Sequence, residues 1–584
     1  MKNKLFKYFS ILQKYFVKFG GELLIIFILI FTINNYLPRE QHKIKSDGKG
    51  YYDYLPALFI YNDFLKVEKT QPNIPTEWGE REGSKVPYKD KFVIKYPCGV
   101  AILASPFFFY AHLTAKTQGF EANGYSLPYQ KSMYHSALFY LFLGLIFLRL
   151  FLSTYPLSKG IIYTVLFFIV FATSIIHYTY NEPTFSHIYS FFAIAAFLYF
   201  IRKYFIDLRF KYFIWASFFI GIILVIRQVN IIIILFIPFI AGSFSTLSNG
   251  IITIFKKPLI LLLGFLISLS IFSIQLYFWY KQTGDFLVYS YQGESFNFLT
   301  PAFFDILFSY KKGLFIYAPL LFISLFGLVF YIKESQYYLF ITWLGFFVFI
   351  NYILSSWWSW GYGCSYGLRA YIDFYPIFCI QLAILLHKTM NFIKIPIIIL
   401  CVLTIPINII QTIQYYHYIL HWTSTEKKGY WQVFLKTDEV YGGLLWKKRY
   451  DFNEFNTKII HKIPLQNVEL SPNNQQEFTV FKTDTIIDFD KVNIIKVSLE
   501  NDFADDQKAK IQLLIFDNST ILYDHTRPLI HFNEIDLNQT HIGEFNYEVP
   551  RFNDKNNKTI ILKIHAKNKE VILKKMNVIF INLF

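Results

Sequence analysis

The sequence predicts a polytopic α-helical membrane protein with a C-terminal all-β domain, and three observations favour this fold class. The chain of 584 residues is 54% hydrophobic and only 16% charged, a balance typical of membrane-spanning proteins and unusual in soluble domains. It contains about eleven apolar runs, each long enough to cross a hydrocarbon layer of about 30 Å. After residue 450, short segments rich in Ile, Val and Leu alternate with clusters of Asn, Asp and Pro, which is typical of β-strands.

Each predicted membrane helix is an apolar run of about 20 residues. The runs lie near residues 19–37, 132–152, 160–178, 184–201, 212–228, 229–244, 258–279, 313–332, 337–355, 370–388 and 393–414. The motif RQVN (Arg227–Asn230) separates the fifth run from the sixth, and the sequence also allows these two to form one long helix.

The basic residues predict the orientation, because cytoplasmic loops of membrane proteins are rich in Lys and Arg. The lysines before the first run place the N-terminus in the cytoplasm, and the loops that then face inward carry Arg149, Lys159, Arg202 and Lys203 among others. An odd number of helices places the C-terminus outside. We therefore expect a multi-pass protein of the cytoplasmic (inner) membrane. The net charge of +16 fits this topology and contact with anionic lipid, and we expect no nucleic-acid partner.

The sequence divides into three parts. Residues 1–415 form the predicted transmembrane domain, 416–450 a linker, and 451–584 an extracytoplasmic β-sandwich-like domain. The first outer loop, 38–131, carries predicted juxtamembrane helices.

Two acids of this loop lie in the stretch KSDGKGYYDYLPALFIYNDF (Lys45–Phe64). Asp53 is placed to cap a helix that begins at Tyr54. That helix is expected to lie along the membrane surface through the apolar side chains Leu55, Leu58, Phe59 and Leu65. Asp47 precedes a glycine, so it either makes a turn or is a catalytic residue.

Four cations are expected at the outer face, against the positive-inside trend: Arg227, Lys311, Lys312 and Arg369. Two of them have a structural alternative. Arg227 can extend to the membrane surface, and Arg369 can pair with Asp373 four residues later. As a group they are candidates for binding a phosphate, for which Arg offers a planar fork and Lys a point charge.

Four further residues are candidates for contacting the substrate. Glu182 and His187 lie in NEPTFSH, where the alternative is a capped loop between two helices. Trp358 and Tyr366 lie in WWSWGYGCSYG, where the alternative is an aromatic belt at the membrane interface. The glycines between the aromatic residues favour a tight loop with room for a sugar or a lipid headgroup.

The four cysteines show no metal-ligand spacing. Cys98 and Cys364 are predicted on the same side of the membrane, so a disulfide between them is one option. No small-residue cleavage site follows the first apolar run, which favours a retained signal-anchor helix.

These motifs resemble those of the GT-C class, the membrane glycosyltransferases that use polyprenyl-phosphate sugars and include protein mannosyltransferases and aminoarabinose transferases. The likeness is closer to bacterial members described as RgtA/B/C/D-like or family-39-like. It rests on Asp47 in the first outer loop, on YPCGVAILASPFF (Tyr96–Phe108), and on WWSWGYGCSYGLRAYIDFYP (Trp357–Pro376). It covers residues 19–415, the hydrophobic part of the chain.

The resemblance implies inverting transfer of a sugar from a polyprenyl-phosphate donor to a glycan, lipid or protein acceptor at the outer face of the membrane. It implies that Asp47 accepts the acceptor's proton, and that Arg227, Lys311, Lys312 and Arg369 stabilise the departing lipid phosphate. Asp47 is followed by Gly48, Lys49 and Gly50 rather than by the second acid of a D-x-D pair, so we expect neither a metal nor another cofactor.

Two other functions were weighed against this one. A lipid-linked sugar flippase or secondary transporter usually has ionisable residues near the membrane midplane and repeated halves, whereas the candidate charges here lie at the outer edge and no repeat is evident. A structural protein that anchors the β domain needs far fewer helices than about eleven.

Overall fold

A computed structural model of the chain describes residues 2–38, 42–62, 85–89, 91–291, 293–423, 425–437, 441 and 445, and after residue 456 the strands given below and residue 492. The protein is mostly helical. The chain divides into two compact units, the larger ending at Thr412 and the smaller holding the chain from Ile413 onward.

The larger unit is built from helices, two 3-10 segments and one short hairpin. Its helices before residue 230 are α1 (Lys2–Tyr36), α2 (Ser46–Tyr52), α3 (Tyr54–Phe59), α4 (Gly99–Gln118), α5 (Leu127–Leu152), α6 (Lys159–Phe171), α7 (Ile175–Tyr180), α8 (His187–Asp207) and α9 (Phe210–Ile226). The later ones are α10 (Ile237–Ala241), α11 (Phe244–Phe255), α12 (Pro258–Thr283), α13 (Asp305–Phe308), α14 (Leu314–Tyr317), α15 (Pro319–Leu325), α16 (Leu328–Lys333), α17 (Tyr337–Ser355), α18 (Tyr375–Lys388) and α19 (Asn391–Tyr416), the last continuing past Thr412. The 3-10 segments are Gln228–Phe236 and Arg369–Phe374, and the hairpin pairs β1 (Lys85–Tyr88) with β2 (Lys91–Ile94).

Seven helical spans in the described residues are long and apolar enough to cross a membrane, which indicates a membrane protein. They are Lys18–Tyr36, Leu127–Leu152, His187–Asp207, Pro258–Thr283, Tyr337–Ser355, Arg369–Lys388 and Asn391–Tyr416. An eighth span results if Gln228–Ala241 and Phe244–Phe255, which meet at 120°, are counted together. Three shorter apolar helices, Lys159–Phe171, Phe210–Ile226 and Pro319–Lys333, occupy the other predicted runs. The full count of eleven spans stays a prediction.

The spans differ in how much of their surface the protein itself covers. Helix α8 and the span Arg369–Lys388 are buried along most of their length, whereas α12 and α19 expose most of theirs. A helix that is apolar all round is stable only inside a protein core or in lipid. The first two are therefore central, and the last two present the apolar surface that a bilayer covers. The candidate site lies at the ends of the two central spans.

The segment after α1 packs into this unit instead of lying along its surface. Tyr52, Tyr54, Leu55 and Ala57 are buried against α4 and α5, and only Phe59 at the end of α3 is exposed. The prediction of a surface helix is wrong for α3, because its first four residues are buried in the protein. Its predicted member Leu65 lies outside the described residues, as do 63–84 of the same loop.

The predicted cap at Asp53 is also wrong. Asp53 precedes α3, but its carboxylate makes no capping hydrogen bond. It accepts hydrogen bonds from the Tyr125 hydroxyl and the Lys49 ammonium, both at 2.8 Å, and it is fully buried. An ionised buried carboxylate is stabilised more by these partners than by a backbone N–H alone.

Amide side chains fix the two segments that flank the candidate site. The Gln130 carbonyl oxygen of α5 accepts from the backbone N–H groups of Lys43 and Ile44, just before α2. In the same way, Gln282 and Gln275 of α12 accept from the N–H groups of Ile94 and Cys98. Cys98 and Cys364 are both free thiols, so the optional disulfide is not formed.

The smaller unit contains helix α20 (Lys427–Val433) and nine strands in its described residues. The strands are β3 (Thr457–Leu470), β4 (Glu477–Thr483), β5 (Ile494–Asn501), β6 (Lys510–Asp517), β7 (Thr520–Pro528), β8 (Glu534–Ile535), β9 (His541–Glu548), β10 (Lys558–His565) and β11 (Val571–Leu583). They form antiparallel sheets in the orders β4-β10-β6-β7 and β3-β11-β5-β9-β8. Alternate residues of β10, namely Ile560, Leu562 and Ile564, are buried, as expected for a strand with one covered face. That the whole segment 451–584 is an all-β sandwich stays a prediction, and parts of the predicted linker 416–450 lie outside the described residues.

Gly99 predicts a stability effect at the junction of α4 and α9. A Cβ there would lie 2.5 Å from the backbone nitrogen of Ile226 and from the backbone of Val225, next to the candidate site residue Arg227. We expect Gly99→Ala to cost about 1–3 kcal/mol, the usual range for overpacking, and to lower the melting temperature of the protein in detergent micelles. Gly160→Ala is the matched control, since Gly160 is also in the first turn of a helix and has no atom within 4 Å of its Cβ position. Equal melting temperatures for the two variants would contradict the close packing at Gly99.

Candidate active site

Asp47 lies in the first turn of α2, so the sequence Asp-Gly is helical and not the tip of a turn. The residue with a left-handed backbone is Ser46, at φ 50°. Gly48 is required for close packing, because a Cβ there would lie 2.1 Å from the hydroxyl oxygen of Thr184. This contact brings α2 against the loop between α7 and α8 and fixes the direction of the Asp47 side chain.

Asp47 forms an ion pair with Arg369. Nη2 of Arg369 lies 2.5 Å from Oδ2 of Asp47, and the two side chains are 12% and 29% exposed. The Arg369 guanidinium also lies over the Phe185 ring, 5.1 Å from its centroid. The pair joins the first predicted outer loop to the start of the tenth predicted span, and the carboxylate keeps the larger exposed surface.

The protonation state of Asp47 follows from this environment. Burial by itself raises the pKa of Asp47, but the Arg369 charge and hydrogen bonds from the Tyr96 hydroxyl and from Arg369 outweigh burial. The pKa is therefore lowered from its ordinary value, and the carboxylate is ionised at neutral pH. An ionised, partly exposed carboxylate is able to accept a proton from a molecule that binds beside it.

A second carboxylate, Asp373, is fully buried and has three partners. It accepts from Nδ1 of His187 at 2.8 Å and from the Asn230 amide at 2.7 Å. Nη1 of Arg227 lies 3.3 Å from Oδ2 of Asp373. Asp373 has no surface left for a substrate, so its role is to hold these three groups. The alternative pairing of Arg369 with Asp373 is wrong, because each finds a partner on another segment.

The break at RQVN positions Arg227. Helix α9 ends at Ile226, Arg227 is extended, and the 3-10 segment Gln228–Phe236 follows. The guanidinium lies 5.6 Å from the centroid of the Tyr362 ring, and its side chain is 16% exposed. Arg227 therefore points into the protein toward Asp373 and retains limited access for a ligand.

The two adjacent lysines have different surroundings. Lys312 is buried and donates to the Gly363 carbonyl oxygen and the Ser365 hydroxyl. Burial first, and then the Arg369 charge, lower the pKa of Lys312 well below its usual value. Lys311 lies over the Trp360 ring at 5.4 Å and is half-buried. Lys312 thus holds the loop that contains Gly363 and Ser365. Lys311 is the more accessible cation.

The four predicted substrate contacts are not equally accessible. Glu182 is buried, with Oε2 3.4 Å from Nε2 of His177. His187 is buried against Asp373, and Tyr366 is fully buried with its hydroxyl donating to Gln411 at 3.2 Å. Only Trp358 is exposed. The structure therefore brings Glu182, His187 and Tyr366 beneath the site and Trp358 to the surface.

Several residues of the site were not anticipated from the sequence. Tyr96 helps to lower the pKa of Asp47, and its ring lies 4.7 Å from that of Tyr51 and 6.2 Å from that of Tyr291. Lys95 pairs with Glu294. With 44 tyrosines in the chain, composition gives no reason to select these three, although Tyr96 begins the motif YPCG.

In the described residues, no group of three or more His, Cys, Asp or Glu side chains is arranged to hold a metal ion. No protein-family model matches the chain, and no curated protein matches it.

The arrangement around Asp373 predicts a large loss of stability for Arg227→Ala. Removing the guanidinium leaves a buried carboxylate without its only arginine, and breaking a buried ion pair costs about 3–5 kcal/mol. We expect a lower melting temperature in detergent micelles and a smaller loss for Arg227→Lys.

Lys203→Ala is the control, because Lys203 pairs with Asp207 at 3.0 Å on the surface of α8, where such a pair contributes about 0–1 kcal/mol. If Arg227→Ala lowered the melting temperature no more than Lys203→Ala does, Arg227 would not be the partner of Asp373.

Proposed function

We propose that the protein is a membrane glycosyltransferase that moves a sugar from a polyprenyl-phosphate donor to an acceptor hydroxyl or amine. The observation that supports this most is the pair Asp47–Arg369, which combines an ionised, partly exposed carboxylate with a guanidinium at the end of a membrane span. Transfer from a lipid phosphate requires a proton acceptor and a cation within reach of one reacting centre.

Arg369 is the proposed anchor for the donor phosphate. A guanidinium has five N–H donors in a planar fork, and its contact with Asp47 through Nη2 leaves donors for phosphate oxygens. Arg227 is the second phosphate ligand, and Lys311 the third. Lys312 supports the site indirectly by binding the backbone of the loop that precedes Arg369.

The reaction is written as one displacement at the anomeric carbon. The acceptor oxygen or nitrogen attacks that carbon while the bond from carbon to the phosphate oxygen breaks. The acceptor's proton passes to Asp47, and the electron pair leaves with the polyprenyl phosphate, whose new negative charge is stabilised by Arg369 and Arg227. Attack from the side opposite the leaving group inverts the anomeric configuration. Asp47 then releases its proton to water and returns to the ionised state.

Donor binding itself would make Asp47 a better base. A phosphate beside Arg369 shares the guanidinium charge that now opposes the effect of burial on Asp47. The pKa of Asp47 then rises toward the value at which a carboxylate accepts a proton more readily. The ion pair thus keeps Asp47 ionised before the donor arrives.

The finer topology is part of the same proposal. With eleven spans and a cytoplasmic N-terminus, the site and the C-terminal β domain face the outside of the cytoplasmic membrane, where a polyprenyl-linked donor is presented. The arginines take the place of a metal in stabilising the leaving group, so the reaction is proposed to need no metal. The β domain is proposed to cover the site or position the acceptor.

A lipid-linked sugar flippase or secondary transporter is the second candidate. It is favoured by the buried ionisable groups between the central helices, Asp373 with His187 and Arg227, because such groups often belong to ion or proton pathways. A transporter binds the donor without breaking its glycosidic bond, so product analysis separates the two functions.

Asp47→Asn tests the proposed base. The amide cannot accept the proton, so we expect kcat for sugar transfer to fall about 10²–10⁴-fold, the usual contribution of a general base, with donor binding retained. Transfer is measured with labelled polyprenyl-phosphate sugar and a range of acceptors, using full-length protein in nanodiscs. Asp285→Asn is the matched control, an acid whose pair with Lys89 lies at the surface, and it should transfer at the wild-type rate. Wild-type turnover by Asp47→Asn would remove Asp47 as the base.

Arg369→Gln tests the electrostatic role through the pH dependence. Asp47 is active as a carboxylate, so its lowered pKa puts the acid limb of kcat/KM below the ordinary Asp range, and activity is lost as the pH falls through that pKa. Without the Arg369 charge, burial raises the pKa of Asp47, and the acid limb should move to higher pH. Arg369→Lys should move it less.

Where the residual rate is too low, infrared titration of the carboxyl band, with the Asp47→Asn spectrum subtracted, gives the same midpoint. An acid limb, or an infrared midpoint, that stays in place in Arg369→Gln would show that Arg369 does not set the protonation of Asp47.

A further inference from the structure

A separate cavity of about 440 Å³ lies between two loops of the larger unit. One wall is formed by residues from 295–302 and the other by residues from 355–360. The first wall belongs to the segment between α12 and α13, and the second directly follows α17. The mechanism above does not use this cavity.

The cavity is built by main-chain hydrogen bonds between its walls. Trp358 donates to the Ser295 carbonyl oxygen at 3.0 Å, Asn297 to that of Ser356 at 2.5 Å, and Ala302 to that of Ser355 at 3.1 Å. Phe296 and Trp357 also form an antiparallel bridge. These bonds fix the shape of the cavity before any ligand arrives, which reduces the ordering cost of binding.

The lining combines aromatic rings with uncharged polar groups. The Trp358 side chain is 59% exposed, and its ring has no aromatic partner within the part of the chain that the structure describes. Asn297 and Thr300 offer amide and hydroxyl groups, whereas the hydroxyls of Ser355 and Ser356 donate to the Tyr352 carbonyl oxygen. No lining residue carries a charge.

This chemistry matches a pyranose ring. One face of a sugar ring presents C–H groups that pack on an aromatic face, while its edge presents hydroxyl groups that donate and accept hydrogen bonds. Pockets for small polar ligands generally join apolar walls to a few well-placed polar groups in this way. The lining residues themselves are uncharged, and the cation Lys311 lies over the Trp360 ring, 5.4 Å from its centroid.

The cavity is connected to Asp47 through three aromatic rings. The Trp357 ring lies 5.7 Å from that of Tyr291, and the Tyr291 ring lies 6.2 Å from that of Tyr96. Tyr96 in turn helps to lower the pKa of Asp47. Packed side chains therefore link the cavity wall to the surroundings of the carboxylate.

We infer that this cavity is a saccharide-binding subsite, which seats a pyranose ring of the acceptor. The lining alone indicates that the ligand is a saccharide. That this saccharide is the acceptor rests on the proposed function. The packed rings of Trp357, Tyr291 and Tyr96 join the cavity wall to the surroundings of Asp47, which favours a sugar that lies near the proposed base. Trp358 is the residue on which the sugar face packs.

The test measures sugar binding without requiring turnover. Full-length protein in nanodiscs is mixed with the methyl glycosides of mannose, glucose, galactose and N-acetylglucosamine, and binding is read by saturation-transfer NMR. Sorbitol, a polyol without a ring face, is the ligand control. We expect saturation transfer to at least one glycoside and none to sorbitol. Trp358→Ala should lower the affinity for that glycoside about tenfold, equivalent to about 1.4 kcal/mol. Trp358→Phe should restore part of the lost affinity.

Trp215→Ala is the matched protein control, because Trp215 is 50% exposed on α9 and away from the cavity lining. It should bind the glycoside as the wild type does. The inference is overturned if no glycoside receives saturation from the wild type, or if Trp358→Ala binds as the wild type does.

Turnover measurements show whether the sugar in the cavity belongs to the acceptor or to the donor. If the protein transfers sugar, Trp358→Ala should raise KM for the acceptor and leave KM for the donor unchanged. A raised donor KM would overturn the assignment to the acceptor. If glycosides bind through Trp358 but no transfer is found with any acceptor, the proposed function fails while the saccharide site stands.

Discussion

The ion pair between Asp47 and Arg369 is the contact on which the candidate site depends. It joins a short helix after the first span to the start of the span Arg369–Lys388, two segments far apart in sequence. Each charge alone would be costly in so apolar a protein. Together they are stable, and the carboxylate stays ionised and partly exposed. The close approach of Gly48 to Thr184 is required for this geometry, because it sets the position of α2.

A second pair, Asp373 with Arg227, supports the first, and its carboxylate is fully buried. Asp373 lies one turn beyond Arg369 and holds Arg227, His187 and Asn230 through its two oxygens. This buried carboxylate ties the 3-10 segment of Arg369 to α8 and to the break after α9. Arg227 at the break and Asn230 in the 3-10 segment that follows both reach Oδ2 of this acid.

The sequence predicted the positions of the helices better than the contacts of the charged residues. Apolar runs mark helices because the need to bury or embed apolar side chains is local. Partner choice is not local: Asp373 bonds to Arg227, 146 residues earlier in the chain, and not to Arg369 four residues earlier. The cap predicted at Asp53 is wrong for the same reason. Its partner Tyr125 lies 72 residues later in the chain, so the local sequence does not indicate this contact. The sequence indicates Asp47, Arg227, Arg369 and Trp358 as candidates because they are outlying charges or loop aromatics, but it does not indicate Tyr96, because tyrosine is common throughout the chain.

We propose that this arrangement of charges breaks a bond in a polyprenyl-phosphate sugar. The fate of the donor tests this when purified wild-type protein is incubated with a labelled polyprenyl-phosphate sugar and a broad set of acceptors. We expect release of free polyprenyl phosphate together with a product of inverted anomeric configuration, seen by thin-layer chromatography and NMR. A donor that binds the protein but stays intact with every acceptor would contradict it.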